Sequence, residues 1–469
     1  GIVANRERAK AEKRFEQVRK LANIVLFEYH DGIAQLPGAT AMREKMVKDS
    51  LEFLDNLSAE SLDNSELKRD IVKAYQKVGD IQGASDTGNI GKTDDALQSY
   101  QKGLAIQEKI VEKNPESLSD QIALANLNID IGLLIRSKGD FQTAENNITK
   151  ALNLFSNLEK NTPTDVKVRL GLAKSFWNLA SLQTAQNNLS GSLENYQKAV
   201  EIYQKLATDE PNNPKHLRNI ALTNKNIGSV LQLLGDNEKG LIHFQKSLVI
   251  DLENAKNNPN DVSAQLDLSF TYGTIASALR GAKDYQGSLE NDRKAIQIRE
   301  KIFNADTKNV FAENALGAGY QDIGRTYLAN KNFSEAEKNF AKSQEIFQTM
   351  VDTDTGNNSK KTRLAGNSAL LGYVNGLNRN LVKANEFFAK SLEIYKDLSK
   401  QEKLSTLEQR RFATAFLDYA EILLKNQQLN KAIENLQEAQ ELLENERVKK
   451  DAKEELAKLE QLLIAVKRK

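Results

Sequence analysis

The 469-residue sequence contains no cysteine, three histidines, six prolines and a single tryptophan. Without cysteine there is no disulfide framework, no thiol nucleophile and no thiolate metal site. His30, His216 and His243 are scattered, with neither metal-ligand spacing nor a neighbouring nucleophile signature, and read as surface or core residues. A glycine-rich nucleotide loop, His-Arg-Asp and Asp-Phe-Gly are all missing, so no kinase catalytic domain lies in this chain. Gly88-Asn-Ile-Gly-Lys-Thr93 ends like a phosphate-binding loop, but the glycine needed five residues before Gly91 is Asp86, and no strand pattern precedes it. A loop followed by a helix start is the better reading. No run of 18 apolar residues is present, so no segment reads as a membrane span. Gly1-Ile-Val-Ala4 is too short for a signal peptide. The expectation is a non-catalytic chain with no cofactor and no metal site.

Charged residues make up 28% and hydrophobic residues 40%, the mix of soluble helices rather than of a disordered chain. The net charge of +1 gives no global reason to expect nucleic acid as a partner. That charge is uneven. Residues 1–20 and 447–469 each carry +4, so the two ends hold +8 of a net +1 and the middle holds −7.

The chain is organised by a repeat. Residues 188–206 form an amphipathic pattern in which Ser192, Tyr196, Ala199, Val200, Tyr203 and Leu206 share one helix face behind a capping residue, Asn188. In steps of 48 residues the cap column reads Asp140, Asn188, Asp236, Asp284, Asn332, Asn380. A small-residue column follows at Ala144, Ser192, Gly240, Ser288, Ala336, Ala384, Ala432, and a breaker column at Pro115, Pro163, Pro211, Pro259. A second set of columns marks another helix in each unit, with a small residue near its end: Gly79, Gly132, Ala180, Gly228, Ala276, Gly324, Gly372, Ala420. These small residues let the two helices of a unit approach closely, while Tyr100, Tyr196, Phe244, Phe340 and Phe388 are expected to fill the space between units. A fixed period of this length predicts a repeat architecture.

Residues 1–60 read as a long charged helix over 5–31, a break at Leu36-Pro-Gly-Ala-Thr40, and a second helix. Residues 61–446 read as eight helix pairs, with a five-residue insertion in the glycine-rich stretch 80–92. Residues 447–469 read as a C-terminal capping helix, with Leu456, Leu459, Leu462, Leu463 and Val466 on one stripe. Asp292 and Arg299 stand where other units place aromatics. A carboxylate there needs a partner. The expectation is that Asp292 bonds a tyrosine such as Tyr272 or Tyr320, or an arginine, with a ligand-facing role as the alternative.

These columns resemble the tetratricopeptide repeat over residues 64–446, with units longer than the family's usual one. The resemblance implies an all-α fold, a right-handed superhelical solenoid of helix pairs, with a peptide-binding concave groove lined by the first helix of each pair. The family's groove positions fall here on Lys174, Trp177, Ser181, Leu222, Lys225, Ser229, Phe270, Ser277, Arg280, Gln321 and Arg325. A tryptophan and a phenylalanine among lysines and arginines suit a protein or peptide ligand carrying acidic groups. The alternative for Trp177 is simple packing between helices. The family's clamp for a C-terminal carboxylate is not reproduced in any window of three units.

The N-terminal part resembles a more specific group. Arg6-Glu-Arg-Ala-Lys-Ala-Glu-Lys-Arg-Phe15, Leu26-Phe-Glu-Tyr-His-Asp31, Leu36-Pro-Gly-Ala-Thr40, Leu51-Glu-Phe-Leu-Asp55 and Ala74-Tyr-Gln-Lys-Val-Gly-Asp-Ile-Gln-Gly83 are similar to the segment after the membrane anchor of certain bacterial serine/threonine protein kinases. That resemblance implies a kinase domain and one membrane helix before Gly1, with the repeats outside the cytoplasm as a sensor or scaffold. Basic residues 5–20 fit the cytoplasmic side instead. A free adaptor that assembles complexes, and a homo-oligomeric array, are the alternative readings.

Overall fold

The computed structural model describes residues 40–468 except 61–63, 84–91, 138–139, 187, 212, 308, 354, 356–357, 402–403, 405 and 450–451. The expected helix over 5–31, His30 and most of the insertion loop lie outside the described residues. Every regular element among the described residues is a helix. The chain divides into two compact units, 1–178 and 179–469.

In the first unit the Thr40–Glu60 helix precedes two helix pairs, Ser65–Gly83 with Thr93–Lys113 and Leu118–Ser137 with Phe141–Asn161, and the start of the Val166–Ala185 helix. In the second unit the Leu189–Asp209 helix is followed by the pairs Pro214–Leu233 with Asn237–Asn257, Val262–Gly281 with Tyr285–Ala305, and Val310–Ala329 with Phe333–Thr353. Asn358–Leu377 with Leu381–Lys400 and Thr406–Lys425 with Leu429–Glu444 complete the pairs, and Glu446–Lys449 and Lys453–Lys467 close the chain. The first helix of each pair is the A helix here and the second the B helix.

The caps stand where the sequence puts them. Side chains of Asp140, Asn188, Asp236, Asp284 and Asn380 accept the backbone N–H three residues on. Each satisfies an amide that would otherwise lack a partner. A second cap column was not read from the sequence: Asp165, Asn213, Asp261 and Asn309 cap the A helices in the same way, two residues after the breaker column where that column holds proline. Between the helices of a pair the chain turns through one residue with positive φ, and these too recur every 48 residues: Gly235, Lys283, Lys331, Arg379 and Gln427. The N–H of the next residue reaches back to the carbonyl five before it, as from Asn332 to Tyr327 at 2.9 Å, closing the helix end. The insertion stretch starts at the end of the Ser65–Gly83 helix, and the Lys92 N–H bonds the Gln82 carbonyl at 2.8 Å across its stem.

The small column is packed against the partner helix of its own pair, where the sequence reading expects close approach. A Cβ added at Gly79 would meet Tyr100 at 2.5 Å, one at Gly228 would meet Phe244 at 2.7 Å, and one at Gly324 would meet Phe340 at 2.6 Å. The aromatic rings therefore press on the small residue of their own pair and also fill the space to the next one: Phe340 clusters with Leu371 and Val374, and Phe388 stacks on Tyr419 at 4.6 Å. One helix, Leu118–Arg136, is long and apolar enough on average to cross a membrane, contrary to the reading of the bare sequence. It is a core helix of the first unit, with Ala125, Leu127, Ile129, Ile131 and Leu134 buried. At the C-terminus the Lys453–Lys467 helix buries Leu459 and Leu462 against the last pair, as a cap should.

Candidate functional site

In the second unit, A helices touch the next A helix, as Val262–Gly281 touches Val310–Ala329 and Asn358–Leu377 touches Thr406–Lys425. The A helices thus make one continuous layer, and their outward residues form the surface on which a ligand could lie.

Two of the eleven residues placed in the groove, Lys174 and Trp177, belong to the first unit. Lys174 is exposed and stands 3.8 Å from Asp130, and Trp177 is half-buried. Asp130 accepts from Gln76, and its negative charge adds to burial in pushing the pKa of neighbouring Asp80 up to about 6. The other nine belong to the second unit. Leu222 is 45% exposed, as Leu217 and Leu233 of the same helix are at 43% and 62%. Ser181 and Phe270 are half-buried, and Ser229 is exposed with its hydroxyl donating to the Lys225 carbonyl at 3.0 Å. Gln321 donates to Asn367 at 3.3 Å on the next A helix. Arg280 donates to the Ser277 hydroxyl and to the Thr326 hydroxyl, each at 3.1 Å.

Lys225 is not a free groove cation. Its side chain is 13% exposed and its ammonium lies 3.3 Å from the buried Asp251 carboxylate and 3.1 Å from Thr271 Oγ1. Asp251 occupies the column that holds Tyr203 and Phe347 in other pairs, and the sequence reading passed over it. Phe270 is likewise partly structural. Its ring stands edge-on to Phe311 at 6.2 Å and under the Arg299 guanidinium at 5.0 Å.

Asp251, Asp292 and Arg299 together put a polar seam where neighbouring pairs hold aromatics. Asp292 accepts from the Thr326 hydroxyl at 2.7 Å, and Thr326 also contacts Ser288 at 3.0 Å. The expected tyrosine partners are engaged elsewhere: Tyr320 donates to Glu300, and Tyr272 lies beneath Lys294. Burial pushes the Asp292 pKa up to about 6, the Thr326 bond and the Arg280 and Arg299 charges opposing it. Arg299 donates to Ser269 Oγ and to the Ala315 carbonyl, both at 3.1 Å, and burial lowers its pKa. Every bond Arg299 makes is to a neutral group.

The two histidines among the described residues are held within the fold. His216 is buried and pairs with Glu210 at 2.7 Å, and His243 Nδ1 bonds Asn224 at 2.8 Å. A cleft of about 570 Å³ in the first unit is lined by Glu44, Lys48, Lys92 and Lys102 among others. Two of its lysines are committed to ion pairs, Lys92 with Glu44 and Lys102 with Asp55, so it offers no concentrated charge of one sign.

Beyond the eleven, the sequence reading missed three arginine-related features of the same layer. Arg363 and Arg411 are exposed on the last two A helices, and Asp322 stands 3.4 Å from Arg325. Burial lowers the Arg325 pKa although 43% of its side chain is exposed. Both hold for a side chain in a hollow, open to water yet surrounded by protein on several sides.

The sequence profile of the tetratricopeptide repeat matches residues 271–307, which span the turn and most of the two helices of one pair. Comparison with curated protein sequences gives no match. Among solved structures, aspartyl phosphate phosphatase F from Bacillus subtilis is similar with 13% identity and a TM-score of 0.53, over 87% of this chain and 96% of that one. Yeast Tom70 is similar over 98% of this chain and 94% of its own, with 15% identity and a TM-score of 0.39. A Rap protein complexed with competence and sporulation factor is similar over 81% of this chain and 97% of that one, with 10% identity and a TM-score of 0.43. The likeness to the Bacillus subtilis protein shows a shared helical-repeat fold.

Proposed function

We propose that this chain is a non-catalytic interaction module that holds an extended segment of a partner protein along its A-helix layer, as the sensor or scaffold part of a membrane-anchored bacterial serine/threonine kinase. The observation that carries the binding reading is the composition of that layer in the second unit. Leu222, 45% exposed, and half-buried Phe270 precede Arg280 and Arg325 on successive A helices. An apolar stretch followed by cations gives a partner side-chain pockets and charge contacts on one line.

The kinase association rests on the similarity of residues 6–83 to juxtamembrane segments, and sequencing the coding region upstream of Gly1 tests it. A kinase domain and an apolar span of about 20 residues are the expected result. An initiation codon just before Gly1, with no kinase domain in the same reading frame, leaves the adaptor reading.

The binding reading is tested on a peptide array or by affinity capture with wild type, Leu222→Asp and Trp177→Ala, each first checked for unchanged melting. Leu222 is exposed, so Leu222→Asp should fold normally and lose capture. If capture survives Leu222→Asp and Trp177→Ala melts many degrees lower, the A-helix layer is not the binding surface and Trp177 is a packing residue.

A further inference from the structure

Four consecutive A helices of the second unit each present an arginine: Arg280, Arg325, Arg363 and Arg411. Their pairing is thin. Arg280 bonds hydroxyls and, at 3.4 Å, the Asp322 carbonyl oxygen, all neutral acceptors. Arg325 reaches Asp322 at 3.4 Å, a long contact for a charged pair. Arg363 and Arg411 make no hydrogen bond or ion pair with any described residue.

These groups also feel one another. Arg411 repels Arg363 on the neighbouring A helix and Arg325 on the one beyond, and Arg280 repels Arg325 from the other side. The carboxylates that face the group are Asp322, Glu408 one turn before Arg411 on its own helix, and Asp292, which is buried, already bonded to Thr326 and shared with a fifth arginine, the buried Arg299. The charge left over is about +2, gathered in a hollow where burial disfavours charge and no protein anion is placed to relieve it.

We infer that this arginine cluster receives the phosphate of a phosphoserine or phosphothreonine in an extended peptide, an inference that rests on the interaction-module reading above. The choice of anion follows from charge and geometry. A phosphomonoester brings about −1.5 to −2 at pH 7 and three acceptor oxygens, enough for two guanidinium forks at once. A glutamate carboxylate brings one charge and two oxygens, and would leave one of Arg363 and Arg411 uncompensated. The peptide setting follows from the surface. Adjacent helices lie about 8–10 Å apart, so four A helices span the reach of about nine extended residues at ~3.3 Å each. Leu222 lies on the A helix before the cluster and Phe270 on the same A helix as Arg280, and they can take apolar side chains of the same segment.

The test is fluorescence anisotropy on the full chain with three fluorescein-labelled degenerate peptide libraries. They are identical apart from a central phosphoserine, serine or glutamate. The phosphoserine library should bind about tenfold tighter than either of the others. Arg363→Gln and Arg411→Gln should each remove that preference while melting like the wild type, since both side chains are exposed. Arg363→Lys should lose most of it too, because an ammonium has no fork. Equal binding of the phosphoserine and serine libraries overturns the inference, and leaves the interaction-module reading standing if Leu222→Asp weakens both. A phosphoserine preference that survives both glutamine variants overturns it as well. Inorganic phosphate that displaces the peptide at the peptide's own concentration would show a free-anion site and also overturn it. No binding of any library overturns it outright, and the array experiment then judges the broader reading by itself.

Discussion

Lys225 and Asp251, on the two helices of one pair, form an ion pair at 3.3 Å that Thr271 of the following A helix completes, its hydroxyl lying 3.1 Å from the ammonium and 2.5 Å from the carboxylate. Their side chains are 13% and 3% exposed. Removing one partner of such a pair strands the other charge, at a cost of about 3–5 kcal/mol, whereas replacing both with apolar groups can be nearly neutral. Lys225→Met should therefore destabilise strongly, and Lys225→Met with Asp251→Leu should recover most of the loss in urea titrations. Lys225→Glu should unfold the region. A Lys225→Glu protein that melts normally and only binds partners less well would return Lys225 to the binding surface.

Gly228 offers a second test. A Cβ there would stand 2.7 Å from the Phe244 ring and 2.8 Å from the Gly240 carbonyl oxygen, closer than such atoms come. Gly228→Leu should cost roughly 1–3 kcal/mol by forcing the hairpin apart. Repeats pass stability mainly to neighbours, so hydrogen exchange should quicken most around residues 213–285. Uniform quickening across the whole second unit would contradict that locality.

Asp292 makes stability depend on pH. Its folded pKa of about 6 lies above the ordinary value of 3.8, so the native state holds this proton more tightly than the unfolded chain does. The associated stability is fully present below pH 3.8 and is lost as pH rises through about 6. The total is on the order of 3 kcal/mol. Asp292→Asn should match the wild type near pH 4 and exceed it near pH 8 in denaturant midpoints. A variant that parallels the wild type over that range would show that Asp292 titrates normally.

The helix-pair turns invite a gain of stability. Lys283, Lys331, Arg379 and Gln427 hold φ of 60–64° without the freedom of glycine, while the equivalent Gly235 sits at 88°. The left-handed conformation costs an L-residue about 1–2 kcal/mol, partly offset by the entropy glycine loses on folding, about 0.5–1 kcal/mol. Lys331→Gly should stabilise by about 0.5–1 kcal/mol net and Gly235→Lys should destabilise by a similar amount. Thermal melts that move both ways round would show that the lysine side chain makes compensating contacts.

The exposed arginines yield the reverse of a usual loss-of-contact mutation. Arg411 repels Arg363 and Arg325 and has no hydrogen-bonded partner among the described residues, so Arg411→Gln should keep or raise the melting temperature. A clear fall would mean that its aliphatic stem packs in a way the charge hides.

What the sequence made legible was whatever repeats. The 48-residue step exposed the cap column, the small column and the hairpin units, because each of those jobs needs a particular residue type at a fixed place. Partner choice was less legible. Asp292 announced itself by replacing an aromatic, and Thr326 stands alone in a column otherwise held by Leu134, Leu182, Val230, Ala278, Val374 and Ile422, a mark the sequence reading did not use. Asp251 made the same kind of replacement and passed unnoticed because an aspartate on a charged helix looks solvated. The aromatics were assigned to the gap between pairs alone, and their second contact, on the small residue of their own pair, was missed because periodicity gives the face of a helix and not every helix that face meets. Arg363 and Arg411 lie outside the family's groove positions, and only the close stacking of successive A helices brings them into the field of Arg325. The helix over residues 5–31 lies outside the described residues.

Because the caps and the left-handed turn residues recur at one interval, the gene can lose or gain a period without inventing a new junction. Excising 285–332 would join Asp284 to Phe333, placing a capping aspartate before a helix start like its own. The join also spares Lys225, Asp251 and Thr271 and removes Asp292, Arg299 and Thr326 together, so no buried carboxylate is stranded, while Arg280, Ser269 and Asn367 each lose a partner. In-frame recombination can therefore set the reach of the protein in whole pairs, shortening or lengthening the line of contacts a partner meets while each surviving hairpin keeps its own core.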